Sequence, residues 1–444
     1  MSEEEIHLGL DDIDSPSGGC TTHFASLLVE YLSKHSVNWN DYPNLIRLNP
    51  GIPFRTRGNG AVSLRFTTDT IEPDEILHQI ELMINDYVDR LYPNTNPGVV
   101  IVTGKIPEAI SRFSKKALWR TIPIALAKRI IDEHNLVHYS SGNGRGLIGG
   151  LASIGNQLLR DHTYEYIAYR SMDQCGDTRG VDALSVKQMD EKMGDSVFSN
   201  VDDKKYRILI EPHGPDPVLY GIRGETAKSV IRAASYIKSE QKVERWTVFR
   251  TNQGTGEHLV HTMSIGDLRP YMAAIVHGFV ETPPRMMEGG YVIFKITDRK
   301  SVIDCAAYEP TRSFRETVMK LRRNDEIRLH VNVRPRSKTH GLTLNVEGLE
   351  VLKLSPLIQS LNPLCPHCLR RMKSAGRGKG YKCDKCGFRG ATMNKIETHK
   401  ERPIEIGLYL PPLSAQRHLT RPFARNEHRN SGRPKHLIEK WHSL

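Results

Sequence analysis

Apolar and polar positions alternate in recognisable periods along most of the chain. The run Ile6-His7-Leu8-Gly9-Leu10 reads as a strand, and Phe24, Leu27, Leu28, Tyr31 and Leu32 recur at the spacing of one helix face. A loop rich in Pro, Arg and Gly, LNPGIPFRTRGNG, feeds AVSLRF, where Val62, Leu64 and Phe66 alternate as in a half-buried strand. Helical patterns follow over 73–90 and 106–134. A second unit opens at the glycine-rich SGNGRGLIGGLASIG (141–155) and runs through the strand-like EYIAYR. In PVLYGIRGETAKSVIRAASYI a strand, a Gly-Arg-Gly turn and a helix follow in order, and RWTVFRT is a further strand. This mixture predicts a multidomain α+β protein.

Residues 271–355 change character. MAAIVHGFV, GYVIFKI, SVIDCAAY, DEIRLHVNV and LTLNVEGLEVLKL are five β-rich runs, with one helix candidate, SFRETVMKL, between the third and fourth. That order predicts an OB-fold, a five-stranded barrel that often binds oligonucleotides, over 270–355. A cysteine cluster follows, and then a Pro/Arg/His-rich tail (393–444) without clear periodicity.

Charge sharpens the division. Of 62 Lys+Arg and 51 Asp+Glu, residues 361–444 hold 18 and 6, leaving 44 against 45 in the remainder. A basic C-terminal part on a neutral body predicts a polyanionic partner, nucleic acid first. No run approaches the roughly 18 apolar residues that cross a bilayer, and MSEEEIHLGL lacks the basic and apolar regions of a secretory signal. A soluble cytoplasmic protein without membrane contact is the expectation.

Of seven cysteines, four form Cys365-x-x-Cys368, fourteen intervening residues, then Cys383-x-x-Cys386. Two such knuckles close a tetrahedral thiolate site for structural Zn²⁺, leaving no position open for catalysis. With Pro, Gly and Lys around the ligands, little core exists there without the metal, so a zinc ribbon is expected over 360–392. The cations between the knuckles are placed to meet phosphate.

Asp11, Asp12 and Asp14 directly follow the first strand, where α/β sheets place ligand-binding groups. Carboxylates suit Mg²⁺, which bridges to substrate phosphates. Gly18, Gly19, Cys20, Thr21 and Thr22 then lead into the helix, whose first N–H groups favour an anion. The bland reading is an Asp-rich turn with a threonine cap. Three basic loops recur with small residues: Arg55, Arg57, Gly58, Asn59 and Gly60; Gly144, Arg145 and Gly146; and Arg223 between glycines. Guanidinium groups suit bidentate phosphate contacts, and glycine permits close backbone approach. Gly144–Gly149 also satisfies G-x-G-x-x-G, but the preceding PIALAKRIIDEHNLVHYS is mostly helical in pattern, which argues against a dinucleotide fold. Cys20 has only His23 nearby and no third group to orient a nucleophilic pair.

Taken together, GLDDIDSPSGGCTT, RLNPGIPFRTRGNGAVS, GRGLIG, VLYGIRGE and CPHCLRRMKSAGRGKGYKCDKC, in that order, resemble the archaeal tRNA(Ile) 2-agmatinylcytidine (agmatidine) synthetase family from about residue 6 to PPLSAQRHLTRP (411–422). The resemblance implies an N-terminal kinase-like domain (1–140), a ferredoxin-like domain (141–265), an OB-fold and a zinc ribbon. It also implies a ligase that uses ATP to phosphorylate the C2 oxygen of the wobble cytidine in an isoleucine tRNA with a CAU anticodon. The primary amine of agmatine then displaces phosphate, ATP ends as AMP, and the tRNA reads AUA. By motif position the family's autophosphorylated threonine falls on Thr21. Asp11, Asp12 and Asp14 are the expected catalytic carboxylates, and Arg57, Arg145 and Arg223 the expected contacts to phosphate or the transition state. One departure is visible: Ile13 stands where the family commonly has threonine within D-D-T-D. The agmatine pocket, a site for a dication, is not assignable from sequence. The competing reading is a non-catalytic single-strand binder built on the barrel and ribbon, and a third is a simple kinase releasing ADP.

Overall fold

In the computed structural model, which describes residues 4–15, 18–55, 58–88, 94–202 and 207–443, the strand Ile6–Asp11 is paired on both sides. Gly60–Thr67 and Gly98–Thr103 flank it, both antiparallel. Because this strand is central, Leu8 and Leu10 are wholly buried, as is every residue from Ala61 to Phe66. The half-buried strand expected at AVSLRF is therefore covered on both faces. On one face lie the helices Thr21–Lys34 and Pro73–Tyr87, with Phe24, Leu28, Ile76, Ile80 and Ile84 against Leu8, Leu10, Val62 and Leu64. On the other lie Glu108–Ala117, Ile124–Glu133 and Gly146–Gly155, packed on Ile46, Ala61, Val100 and Val102. The long helical pattern over 106–134 is thus two helices, the second starting after Pro123, since proline suits a helix start and breaks an interior.

The units read as separate around residue 140 share one sheet. Arg245–Thr251 pairs in parallel with Asn44–Arg47, placing Arg250 opposite Asn44 and Thr251 opposite Leu45. Beyond it come Thr163–Tyr169 and Val218–Gly224, so nine strands form a continuous surface.

The glycine-rich segment is a helix rather than a loop. A strand, Val137–Ser140, does precede it, contrary to the helical reading of that segment, but it is an antiparallel edge strand paired with Gly98–Thr103. The glycines serve packing: a Cβ on Gly9 would lie 2.1 Å from Gly150 O, and one on Gly98 2.1 Å from the Gly146 carbonyl carbon. Only with glycine on both sides does the helix backbone rest directly on the strands.

Residues 273–353 close into a barrel. Ala273–Met286 pairs with Val292–Thr297 and with Glu326–Arg334, and Val302–Ala307 pairs in parallel with Thr343–Lys353. The short helix Ser313–Val318 lies between the third and fourth strands, and Val276, Phe294, Leu329 and Leu349 fill the interior. Five strands and one helix in this order are what the apolar pattern predicts.

The tail departs from expectation. Ile396–Lys400 pairs with Leu357–Leu361, Gly407–Tyr409 extends the barrel sheet, and the chain then returns across the nine-stranded body. Trp441 is 4% exposed within the main core, its carbonyl accepting from Val248 N. Arg425 is fully buried between Asp161 and Glu225. Arg421 and Arg433 are likewise paired with Asp161 and Glu5 of the body, and Arg402 and Arg417 with Asp325 and Glu347 of the barrel. Much of the tail's charge holds the chain together, because a buried guanidinium must be paired. Among the described residues, no helix is long and apolar enough to cross a membrane.

Candidate active site and zinc site

The first strand ends at Asp11, and Asp12 turns the chain with φ +59°. Its carboxylate is held from three directions. Oδ2 accepts from Arg145 Nε at 2.7 Å, from Asn96 N at 3.2 Å and from Asn96 Nδ2 at 3.4 Å. Arg145 Nη2 donates on to Asn94 O at 2.7 Å, and Asn96 Oδ1 accepts from Asn143 N at 2.9 Å. The acidic loop, the 94–96 segment and the start of the glycine helix are thereby one hydrogen-bonded unit.

Asp11 lies against that helix so closely that a Cβ on Gly149 would fall 1.8 Å from Asp11 Oδ2. Burial, and then the neighbouring Asp12, push the Asp11 carboxyl well above the usual carboxylate range. Asp14 receives the Thr21 hydroxyl across 3.5 Å, a long contact, and its carbonyl accepts from Thr95 Oγ1 at 3.0 Å. Ser15 and Gly18 exchange backbone hydrogen bonds, and Gly19, at φ +71°, turns the chain into the helix. Cys20 precedes that helix and supplies no side-chain cap, so Thr21 and Thr22 stand in the first turn without a capping role. Ile13, at the departure from D-D-T-D, is a core side chain, 1% exposed.

Cys20 and His23 form no nucleophilic pair. His23 Nδ1 bonds Tyr87 Oη at 2.9 Å, and burial, with Arg245, lowers its pKa to about 3. Cys20 Sγ instead meets Thr22 Oγ1 at 3.1 Å.

A cleft of about 390 Å³ opens beside this loop. Asp11, Asp12, Asp14, Thr21, Thr22, Gly58, Asn59, Gly60, Arg145 and Arg223 all line it. Gly18, Gly19, Gly144 and Gly146 do not line it; Gly18 and Gly19 border a separate hollow with Tyr87 and Thr95, and a Cβ on Gly146 would meet Gly98 N at 2.4 Å. Arg57 lies outside the described residues.

Four contributors are not singled out by the sequence pattern: Arg47, Asn96, Glu165 and His418. Glu165, 5% exposed in the strand Thr163–Tyr169, sits 3.4 Å from Arg223 Nε and 3.9 Å from Arg47 Nη2, and accepts from Gln253 Nε2. A glutamate within an apolar strand was the available signal. Gly58 and Gly60 make room for Arg47, since Cβ atoms there would lie 2.6 and 2.9 Å from its Nη1. His418 comes from the returning tail, its Nδ1 3.1 Å from Arg223 Nη2. The cleft therefore has a carboxylate wall from the first strand and a guanidinium side from Arg47, Arg55 and Arg223. Cations and phosphates together suit such a surface.

Comparison with known proteins gives the family. Residues 7–143 match the model of the TiaS TCKD domain, 144–258 the TiaS FLD domain and 362–404 the TiaS C-terminal zinc ribbon domain. The chain is 42% identical over 435 residues to the isoleucine-tRNA 2-agmatinylcytidine synthetase TiaS of Staphylothermus marinus, covering 96% of this chain and 94% of that one. The chain belongs to the TiaS family. The Methanosarcina mazei member is 39% identical, with 95% and 98% of the two chains covered. Among solved structures, the complex of a TiaS with its isoleucine tRNA and ATP superposes with TM-score 0.85 at 34% identity, over 97% of this chain and 99% of the other. The complex of a TiaS with the same tRNA, AMPCPP and agmatine gives 0.83 at 32%, over 96% and 98%.

The TiaS ribbon signature corresponds to a formed site. Sγ atoms of Cys365, Cys368, Cys383 and Cys386 all lie within 4.8 Å of one another. Among the described residues no other set of three or more His, Cys, Asp or Glu comes together in this way. Four thiols this close suit the tetrahedral thiolate site of a structural Zn²⁺. Around them only Met372, Tyr381, Phe388 and Met393 pack, a core too small to stand without metal.

Proposed function

We propose that this protein is an ATP-dependent ligase that joins agmatine to C2 of the wobble cytidine of tRNA(Ile) with a CAU anticodon, forming 2-agmatinylcytidine. The observation that carries the reading is near-full-length similarity to named TiaS synthetases, joined to a cleft with opposed carboxylate and guanidinium sides. One phosphoryl group of ATP goes to the C2 oxygen of the cytosine and a second is released to water as phosphate, so that AMP remains. The agmatine amine then forms the N–C2 bond, the C2–O bond breaks, and phosphate leaves with that oxygen.

Arg47, Arg55 and Arg223 bind and align phosphoryl groups, with Arg57 of the same RTRGNG motif, and Gly58–Gly60 supply close backbone, while Arg145 holds Asp12 and so positions the acidic loop. Thr21, next to Asp14, is the phosphoryl acceptor of the family pattern. Asp12 is held by Arg145 and Asn96, so it orients the loop, and Asp11 and Asp14 are the carboxylates that face the nucleotide. Those two fit Mg²⁺ carried in by ATP better than a cage made by the protein alone, and the ion would neutralise charge on the phosphates. Burial, and then Asp12 beside it, raise the Asp11 carboxyl, and a bound cation would offset both. The segments 1–140, 141–265 and 270–355 act as kinase-like, ferredoxin-like and OB-fold parts, with the zinc ribbon gripping the tRNA. The wobble base is splayed from its loop to reach the cleft, at a cost of roughly a few kcal/mol.

Incubation of the CAU-anticodon isoleucine tRNA with ATP and labelled agmatine tests the reading. Label in the RNA and AMP as nucleotide product are expected. An unlabelled RNA beside an active control overturns it.

A further inference from the structure

His418 and Arg223 meet across 195 residues of chain, Nδ1 to Nη2 at 3.1 Å. A guanidinium has donors only, so Nδ1 is the acceptor and carries no proton. In the neutral ring the single proton is therefore on Nε2. The surroundings keep the ring neutral: enclosure, followed by the charges of Arg47, Arg223, Arg55 and Arg417, holds its pKa well below the ordinary histidine value.

The protonated edge lies beside Gly58 at the wall of the cleft. His418 lines the cleft and is exposed to it. A Cβ on Gly58 would lie 3.0 Å from Nε2 and 2.6 Å from Arg47 Nη1, so glycine keeps both donors uncovered. A neutral N–H donor thus stands among Arg47, Arg55 and Arg223.

We propose that His418 donates its Nε2–H to a phosphoryl oxygen bound in the cleft. This rests on the ligase reading above. A neutral imidazole gives up its proton far less readily than an imidazolium, so the hydrogen bond strengthens as negative charge grows on the oxygen and no proton is transferred. The cationic arginines supply attraction, and the imidazole supplies a directed donor.

Full-chain H418Q, H418N and H418A variants decide it, because glutamine places an N–H near the Nε2 position and asparagine one near Nδ1. The expected ranking of kcat/KM for ATP is H418Q within about threefold of the unaltered protein, with H418N and H418A down roughly 10- to 100-fold, as for loss of a hydrogen bond to a charged group. Any other ranking, including equal loss in all three or an active H418N, overturns the proposal. In ¹⁵N-histidine spectra of the whole protein, the signal lost in H418Q should be a neutral Nε2–H ring from pH 5.5 to 8.5 that shifts when tripolyphosphate is added. A cationic ring, an Nδ1–H ring or no shift overturns it. Failure of the unaltered protein to label tRNA would count against the ligase reading alone, since the spectra need no turnover.

Discussion

Asp12 and Arg145, 133 positions apart, are joined by a 2.7 Å contact from Nε to Oδ2, and the same guanidinium reaches Asn94 O at 2.7 Å. One side chain thus fastens the acidic loop to both the 94–96 segment and the glycine helix.

Arg145→Lys tests the fork. A lysine is a point charge that cannot hold both acceptors in fixed geometry. Agmatine incorporation should fall at least about tenfold, a consequence of misplacing the loop. Stability should change by only about 1 kcal/mol, since Arg145 is 27% exposed. Paired activity and thermal-unfolding measurements check this, and unaltered activity would show that the fork does not position the loop.

Gly149→Ala tests the placement of Asp11. The new methyl would occupy the position of Asp11 Oδ2 and force that side chain aside. Alanine meanwhile favours the helix by up to about 1 kcal/mol. Activity should drop by roughly 100-fold, and melting temperature should fall as well, because the methyl would also come 2.7 Å from Asp11 Cβ, which side-chain rotation cannot move. Gly9→Ala is the contrast, because its Cβ would strike the Gly150 backbone at 2.1 Å, and the fold itself should suffer.

Arg425→Ala should destabilise the body by about 3–5 kcal/mol, as it strands buried Asp161 and Glu225 without their cation. Arg425 Nη1 also donates to Gly254 O at 2.8 Å, and Gly254 N to His418 O at 2.8 Å. Loss of activity should therefore precede unfolding in a urea titration, and a stability unchanged by the substitution would refute a structural role for the tail.

Acid should weaken the fold before carboxylates titrate. Burial lowers His7 and His162 to about 4 and His23 to about 3, with Arg65, Arg250 and Arg245 adding to the effect respectively. An unfolded chain protonates these rings near pH 6.5 while the folded one resists, so their stability contribution is full above that pH and lost as pH falls toward 4. Each ring adds a slope of about 1.4 kcal/mol per pH unit in that window. Melting temperatures should fall steadily from pH 6.5 to 4.5, and His23→Gln should flatten the curve by one proton.

Signals confined to short stretches are legible in the sequence. The barrel strands appear as period-two runs, the ribbon as two ligand pairs, and the phosphate-facing turn as carboxylates, glycines and threonines between a strand and a helix. Resemblance then carries the function, since five motifs in order restrict the chain far more than any one does. Less legible is the use of each residue. Gly144–Gly146 reads as a phosphate cradle, yet the helical glycines that follow lie on strand backbone, and glycine has the same letter in either use. Arg145 reads as available for phosphate, and the structure pairs it with Asp12.

By itself, then, the sequence determined the elements, the four thiolate ligands and the acidic turn, because each depends on neighbours a few residues away. Only the tertiary structure decided that both halves share one sheet through Arg245–Thr251 and Asn44–Arg47, and that the basic tail returns to bury Arg425 and Trp441. It alone brought Asn96 to the acidic loop and Arg47, Glu165 and His418 to the cleft beside it. Burying a charge requires a partner, and the partners of Arg425 lie 200 and 264 residues away, beyond the reach of any local period.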